Sequence, residues 1–262
     1  TVFAQAQSTL LYLWLLWRSP VGGRALRLAK PLLDRQMVHE LLVRGLPAGL
    51  QYLLLSLVMG LVLAAMKPHG AAWTATAGGG FRVVQQTILP LVALGFASAA
   101  LTGQNLGAGK PDRIVRTAKV AMTWAVGYAV FFGLALFFGG RIWGRVFANA
   151  PLELELAAAY FRWSAPLTLA FALTLVPTLI LQGAGRSIPP LIGAGAKLAL
   201  LVLLIFWAIP SAGLGPVYVF AAATVSYLLE GGIDTWQLIR FLRALPPRSM
   251  AANSALAPAL AP

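Results

Sequence analysis

The 262 residues are 59% hydrophobic and only 10% charged, with a mean hydropathy of +0.80, whereas a soluble domain carries charge on roughly a quarter of its residues. The apolar residues come in bilayer-length blocks, so the implied surroundings are lipid, and a secreted or cytosolic enzyme is excluded. With no Cys and two His, the chain offers no disulfide, no thiolate nucleophile and no metal set, and no cofactor motif is present.

The formal charge of +13 comes from 20 Lys and Arg against 7 Asp and Glu. It reads as the positive-inside bias of a bacterial-type inner-membrane protein and not as a nucleic-acid footprint.

The first apolar block, Val2 to Trp17, is 16 residues long, a little short of the ~20 that span the hydrocarbon. It has neither a basic n-region nor a small-residue cleavage site, so it is not read as a signal peptide. It reads as the end of a longer transmembrane helix, with five to six further spans expected before it. A basic stretch follows at 18–44, holding Arg18, Arg24, Arg27, Lys30, Arg35 and Arg44. Within it Leu33, Met37 and Leu41 recur every four residues beside Val38 and Leu42, which predicts an amphipathic linker helix in the interface.

Six spans are then predicted at 45–66, 82–106, 117–139, 158–182, 188–209 and 215–239, which makes 45–240 an all-α, polytopic membrane unit. Pro47 is expected at a helix start, while Pro90 and Pro177 lie well inside spans. Connections alternate in charge: one set holds thirteen Lys and Arg and the other three. That places the linker, the 107–116 loop and the C-terminus in the cytoplasm. The uncharged Ala- and Pro-rich tail within 241–262 is expected to be disordered.

Two Gly-rich segments close predicted helices, Gly103-Gln-Asn-Leu-Gly-Ala-Gly-Lys-Pro-Asp-Arg113 and Leu181-Gln-Gly-Ala-Gly-Arg-Ser-Ile-Pro-Pro190. The first is not a phosphate loop: Gln104 stands where the leading Gly of a Walker A sequence belongs, and Pro111 stands in place of Ser or Thr. Both read as helix C-caps with Gly at positive φ.

At these residues the sequence resembles the multidrug and toxic-compound extrusion (MATE) transporters. The run from Gln104 through Asn105, Gly107 and Gly109 to Arg113 is similar to that family's signature closing its eighth helix. Gly45 to Leu50 is similar to the opening of the seventh, and Gln182, Gly183 and Gly185 to the turn between the tenth and eleventh. The resemblance covers about 45 to 240. It implies one six-helix lobe of a two-lobe antiporter that exports cationic or amphipathic small organic molecules by alternating access, coupled to H+ or Na+. The N-terminal lobe would be the missing partner.

In some members acids lie in the seventh and tenth helices, but spans 45–66 and 158–182 contain neither Asp nor Glu. The resemblance then assigns coupling to the absent lobe. The acids inside a predicted span are Glu230 and Asp234, four apart on one face, with Glu230 about 13 Å deep. They read either as a protonatable relay or as carboxylates neutralised by a partner such as Lys197, or snorkelling with Asp234 beside Arg240.

His39 and His69 have no companions at metal spacing. Gln51, Ser56, Gln85, Gln86, Thr87, Thr174 and Thr178 are the polar groups expected at a substrate cavity, with interhelical hydrogen bonding as the alternative. Two other readings stay open. A lipid-linked-precursor flippase of the same superfamily would want several inward Arg or Lys, and Arg162 and Lys197 are the two well inside spans. A membrane subunit with no transport of its own is the other. A membrane enzyme lacks the clustered acids or His it would need.

Overall fold

The computed structural model describes residues 2–18, 35–148 and 150–246, which fall into two units, 1–43 and 44–262. In the first, α1 (Val2–Arg18) exposes Leu10, Trp14 and Trp17. The helix α2 (Arg35–Met66) crosses the division. The second unit continues with a 3-10 turn (Lys67–His69), α3 (Ala71–Gly107), α4 (Pro111–Phe138), a short α5 (Gly140–Gly144) and α6 (Pro151–Gly183). Then come α7 (Ile188–Leu203), a π-helical segment (Leu204–Ala208), α8 (Ile209–Ser211) and α9 (Val217–Arg243). No strand occurs among the described residues.

A helix lies at each predicted span, but most begin earlier than expected. Hydropathy marks where lipid begins, whereas the helices start in polar turns outside it: Pro111 with Asp112 opens α4, and Pro151 with Glu153 opens α6. Glu153 accepts the Ala150 N–H at 3.4 Å, which satisfies one free donor of that first turn.

Pro47 does not begin a helix. It lies inside α2, which begins at Arg35, so the expected boundary between the linker helix and the first span falls within one helix. One missing N–H among good helix formers does not end a helix in lipid. Pro90 and Pro177 are inside α3 and α6 as expected, and Pro166 joins them. The π segment precedes Pro210, which cannot donate to the Phe206 carbonyl. At the C-terminal end α9 continues through Arg243, three residues into the stretch expected as tail. The rest of that tail from 247, and linker residues 19–34, lie outside the described residues.

Among the described residues, five helices are long and apolar enough to cross a membrane: α2, α3, α4, α6 and the run Ile188–Ser211. The sixth expected span, α9, has the length at 27 residues but is not one of those five, and Glu230 and Asp234 lower the hydropathy of its apolar stretch. The bundle is built around α6, whose apolar window is 72% buried against 39% or less in the other four. It packs on α3, α4 and α9. Phe161, Val176 and Ile180 are wholly buried along it, and Tyr160 meets Phe220 of α9 edge-on at 4.8 Å.

The two Gly-rich segments form the same cap. After α3, Lys110 N–H bonds the Asn105 carbonyl at 2.8 Å and Gly109 N–H the Leu106 carbonyl at 3.1 Å. After α6, Arg186 N–H bonds the Leu181 carbonyl and Gly185 N–H the Gln182 carbonyl, both at 2.8 Å. Gly109 and Gly185 take the positive φ of +63° and +76° that this Schellman closure needs. These caps lie together, because a β-carbon on Gly103 would stand 3.1 Å from the Gly183 carbonyl oxygen. Arg186 in turn lies over the ring of Phe241 near the end of α9, 5.0 Å from its centroid.

Candidate functional site

Between α2, α3, α6, α7 and α9 of the second unit lies a cavity of about 260 Å³. Its walls are mostly apolar and aromatic, with Tyr52, Phe81, Phe96 and Phe171 among them, and its polar groups are few: Gln51, Gln85, Thr174, Thr178, Gln182, Lys197 and Glu230. A largely apolar hollow with a small number of placed polar groups is the usual form of a small-molecule site.

Of the expected cavity residues, four line it: Gln51, Gln85, Thr174 and Thr178. Gln51 accepts a 2.7 Å hydrogen bond from Gln182, so the α6 cap motif reaches into the cavity through its first polar side chain. Ser56, Gln86 and Thr87 are not in the wall. Ser56 is turned back on its own helix, bonding the Tyr52 carbonyl at 3.0 Å. Thr87 is buried and bonds the Val84 carbonyl at 2.7 Å, while Gln86 is exposed outside the cavity. Adjacent side chains on a helix diverge by about 100°, and at this pair the divergence turns Gln86 away while Gln85 faces the hollow.

The carboxylates are held by partners. Glu230 and Lys197, 4% and 3% exposed, form an ion pair with Nζ to Oε2 at 2.7 Å. The Lys197 ammonium also lies 4.2 Å from the centroid of the Tyr227 ring, and that ring stacks, tilted, on Phe171 at 4.8 Å. Asp234 does not snorkel toward Arg240. It is fully buried, and its Oδ2 accepts the Thr178 hydroxyl at 2.9 Å, while Arg240 lies over Trp236 instead. Residues six apart on a helix point in different directions, whereas Trp236 and Arg240 are one turn apart.

Besides Glu230 Oε2, whose contact is the ion pair, Asp234 Oδ1 and Thr174 Oγ1 are buried here with no hydrogen-bond partner. Helix α7 approaches closely enough that a β-carbon on Gly193 would stand 2.4 Å from Asp234 Oδ1. Lys197 thus pairs with Glu230 in the cavity wall, while Asp234, one turn further along α9, is held by Thr178. No group of three or more His, Cys, Asp or Glu able to hold a metal gathers among the described residues.

In the motif at the end of α3, Gln104 contributes its carbonyl to the cap and Asn105 bonds the Leu101 carbonyl through its amide at 2.8 Å. A β-carbon on Gly107 would meet nothing within 4 Å. These residues close a helix and lie away from the cavity wall. The aromatic lining was not legible beforehand, because in an apolar span a cavity-facing Phe and a lipid-facing Phe look alike.

A helical bundle of this build, with a largely apolar cavity and the Lys197–Glu230 ion pair in its wall, is that of a multi-pass membrane protein. The MatE family model matches residues 47–207, and the chain belongs to that family.

Among curated proteins, it is similar to Protein DETOXIFICATION 55 of Arabidopsis thaliana, 33% identical over 119 residues, 44% of this chain and 23% of that protein. An uncharacterised 21 kDa protein of Pseudomonas savastanoi is 31% identical over 123 residues, 47% of this chain and 41% of that one. Two solved structures share the fold at TM-score 0.74 and 16% identity. One is a multidrug resistance MATE family transporter of the MOP superfamily in an outward-facing conformation, matched over 83% of this chain and 49% of its own. The other is a MOP superfamily transporter from Pyrococcus furiosus, matched over 81% and 48%. The chain thus spans about half the length of these solved transporters and less of its curated relatives.

Proposed function

We propose that this chain forms one six-helix half of a secondary active exporter, and that its cavity is half of the compartment through which small amphipathic or cationic organic molecules pass. The observation carrying this reading is the aromatic cavity of about 260 Å³ with Gln51, Gln85, Thr174, Thr178 and Gln182 spaced along it. Its coverage of 48–49% of the solved transporters supports a second half of similar size, contributed by sequence outside this chain, with alternating access arising as the halves rock about the cavity.

Exchange against H+ or Na+ is the expected energy source. Because Lys197 already neutralises Glu230 and Thr178 holds Asp234, the ion-exchanging acid is assigned to the other half. The cap motifs, with Lys110, Arg113 and Arg186 on the same end as Arg240 and Arg243, support a cytoplasmic placement of that end and of the C-terminus.

A flippase for pyrophosphate lipids is less well supported, since Lys197 is the one basic side chain in the wall and it is already paired. The deciding test is efflux from cells or proteoliposomes carrying the assembled transporter, with Gln85→Ala and Phe171→Ala against Gln86→Ala. Loss of export with the first two and retention with the third supports the reading. Equal export by all of them overturns the cavity as the path.

A further inference from the structure

At the base of the cavity, Lys197 is placed as a bound ligand would be. Its ammonium faces the Tyr227 ring at 4.2 Å and touches the Glu230 carboxylate at 2.7 Å, and all three residues line the hollow. An aromatic face together with a carboxylate is the chemistry that recognises an organic ammonium ion.

We propose that Glu230 and Tyr227 form a binding site for a protonated amine, and that Lys197 occupies it as a tethered competitor which such a ligand must displace. The proposal rests on the cavity being the substrate compartment.

The displaced lysine has somewhere to go. Asp234 lies one helical turn from Glu230, wholly buried, and its Oδ1 has no hydrogen-bond partner. It packs against Gly193, one turn from Lys197 on the facing helix, so the two carboxylates stand on successive rungs within reach of one flexible side chain. An incoming amine would take Glu230 and Tyr227 while Lys197 moves to Asp234 Oδ1. After the exchange each of the two ammonium groups faces its own carboxylate, with any proton that Asp234 held released to the cavity, and the unpartnered oxygen gains its donor. The site therefore discriminates among cations by whether they can replace an alkylammonium, and a neutral amphipath passes it without moving Lys197.

The test uses the chain in nanodiscs with two fluorescent probes of equal length, a dansylated alkylammonium and the corresponding dansylated alcohol. Lys197→Met, which keeps the packing of the stem, should bind the ammonium probe about tenfold more tightly than the parent, with the alcohol unchanged. Lys197→Met combined with Glu230→Gln should lose that gain. Because removing the lysine strands a buried carboxylate, Lys197→Ala is tested as well by thermal unfolding with added propylammonium or propanol. A rise in Tm with the amine alone, including folding that requires it, supports the proposal.

Unchanged ammonium affinity in Lys197→Met, or rescue of Lys197→Ala by propanol as much as by propylammonium, overturns the tethered-competitor assignment while binding of the neutral probe leaves the substrate compartment standing. Failure of both probes to bind any variant overturns the compartment itself and this inference with it.

Discussion

A β-carbon on Gly183 would stand 2.4 Å from the Ala99 carbonyl oxygen and 2.7 Å from the Ala99 α-carbon. The obstruction is backbone on a neighbouring helix, so no rotamer change relieves it. Gly183 is thus the point where α6 and α3 touch main chain to main chain, the close approach that small residues permit in lipid.

Gly183→Ala must separate the two helices, and should cost about 1–3 kcal/mol of stability. Gly107→Ala, where nothing lies within 4 Å, should leave stability unchanged or slightly raised. Thermal unfolding of the purified chain in detergent separates the cases, and matching transitions for the two variants would refute the close crossing.

The Gln51–Gln182 bond joins α2 to α6 where α2 is otherwise sparsely buried, 11% of its apolar window. A double-mutant cycle with Gln51→Ala and Gln182→Ala should give a coupling of about 0.5–1.5 kcal/mol. Additive losses would mean that the amides do not hold the helices together.

Thr178 supplies the one hydrogen bond that Asp234 receives. Thr178→Val keeps the shape and removes the donor, leaving both carboxylate oxygens bare in a buried setting, at an expected cost of about 1–3 kcal/mol. Thr178→Ser should retain most of the stability. If serine is as damaging as valine, it is the methyl packing that matters and not the bond.

Reporter fusions near Pro111 and after Arg248 should both read cytoplasmic. A periplasmic signal from either reverses the orientation inferred from thirteen basic residues against three.

The sequence reading located the helices well and their sides poorly, for a physical reason. In a soluble helix the polar stripe announces the exposed face, but here lipid and protein interior are equally apolar, so α3 carries no mark that Gln85 faces the cavity while Gln86 does not. Turn chemistry is indifferent to that ambiguity, so both Gly-rich segments were readable as helix ends, and the structure gives the positive φ to Gly109 and Gly185. Lys197 was recognisable as a partner for Glu230 because charge inside a span is costly enough to demand one. The bond from Thr178 to Asp234 was not, because its two ends are 56 positions apart on different helices, and only the packing of α6 against α9 brings them together.

The central position of α6 has a consequence for biogenesis. This helix is made after α3 and α4 and before α7 and α9, yet it supplies the interface that all but α7 chiefly use. During synthesis α3 and α4 must therefore wait in the bilayer without their main partner, and a nascent chain halted at Phe138 should be prone to extraction and degradation. Extension through Gly183 should fix the earlier helices in place, leaving α9 to complete a core whose centre is already set.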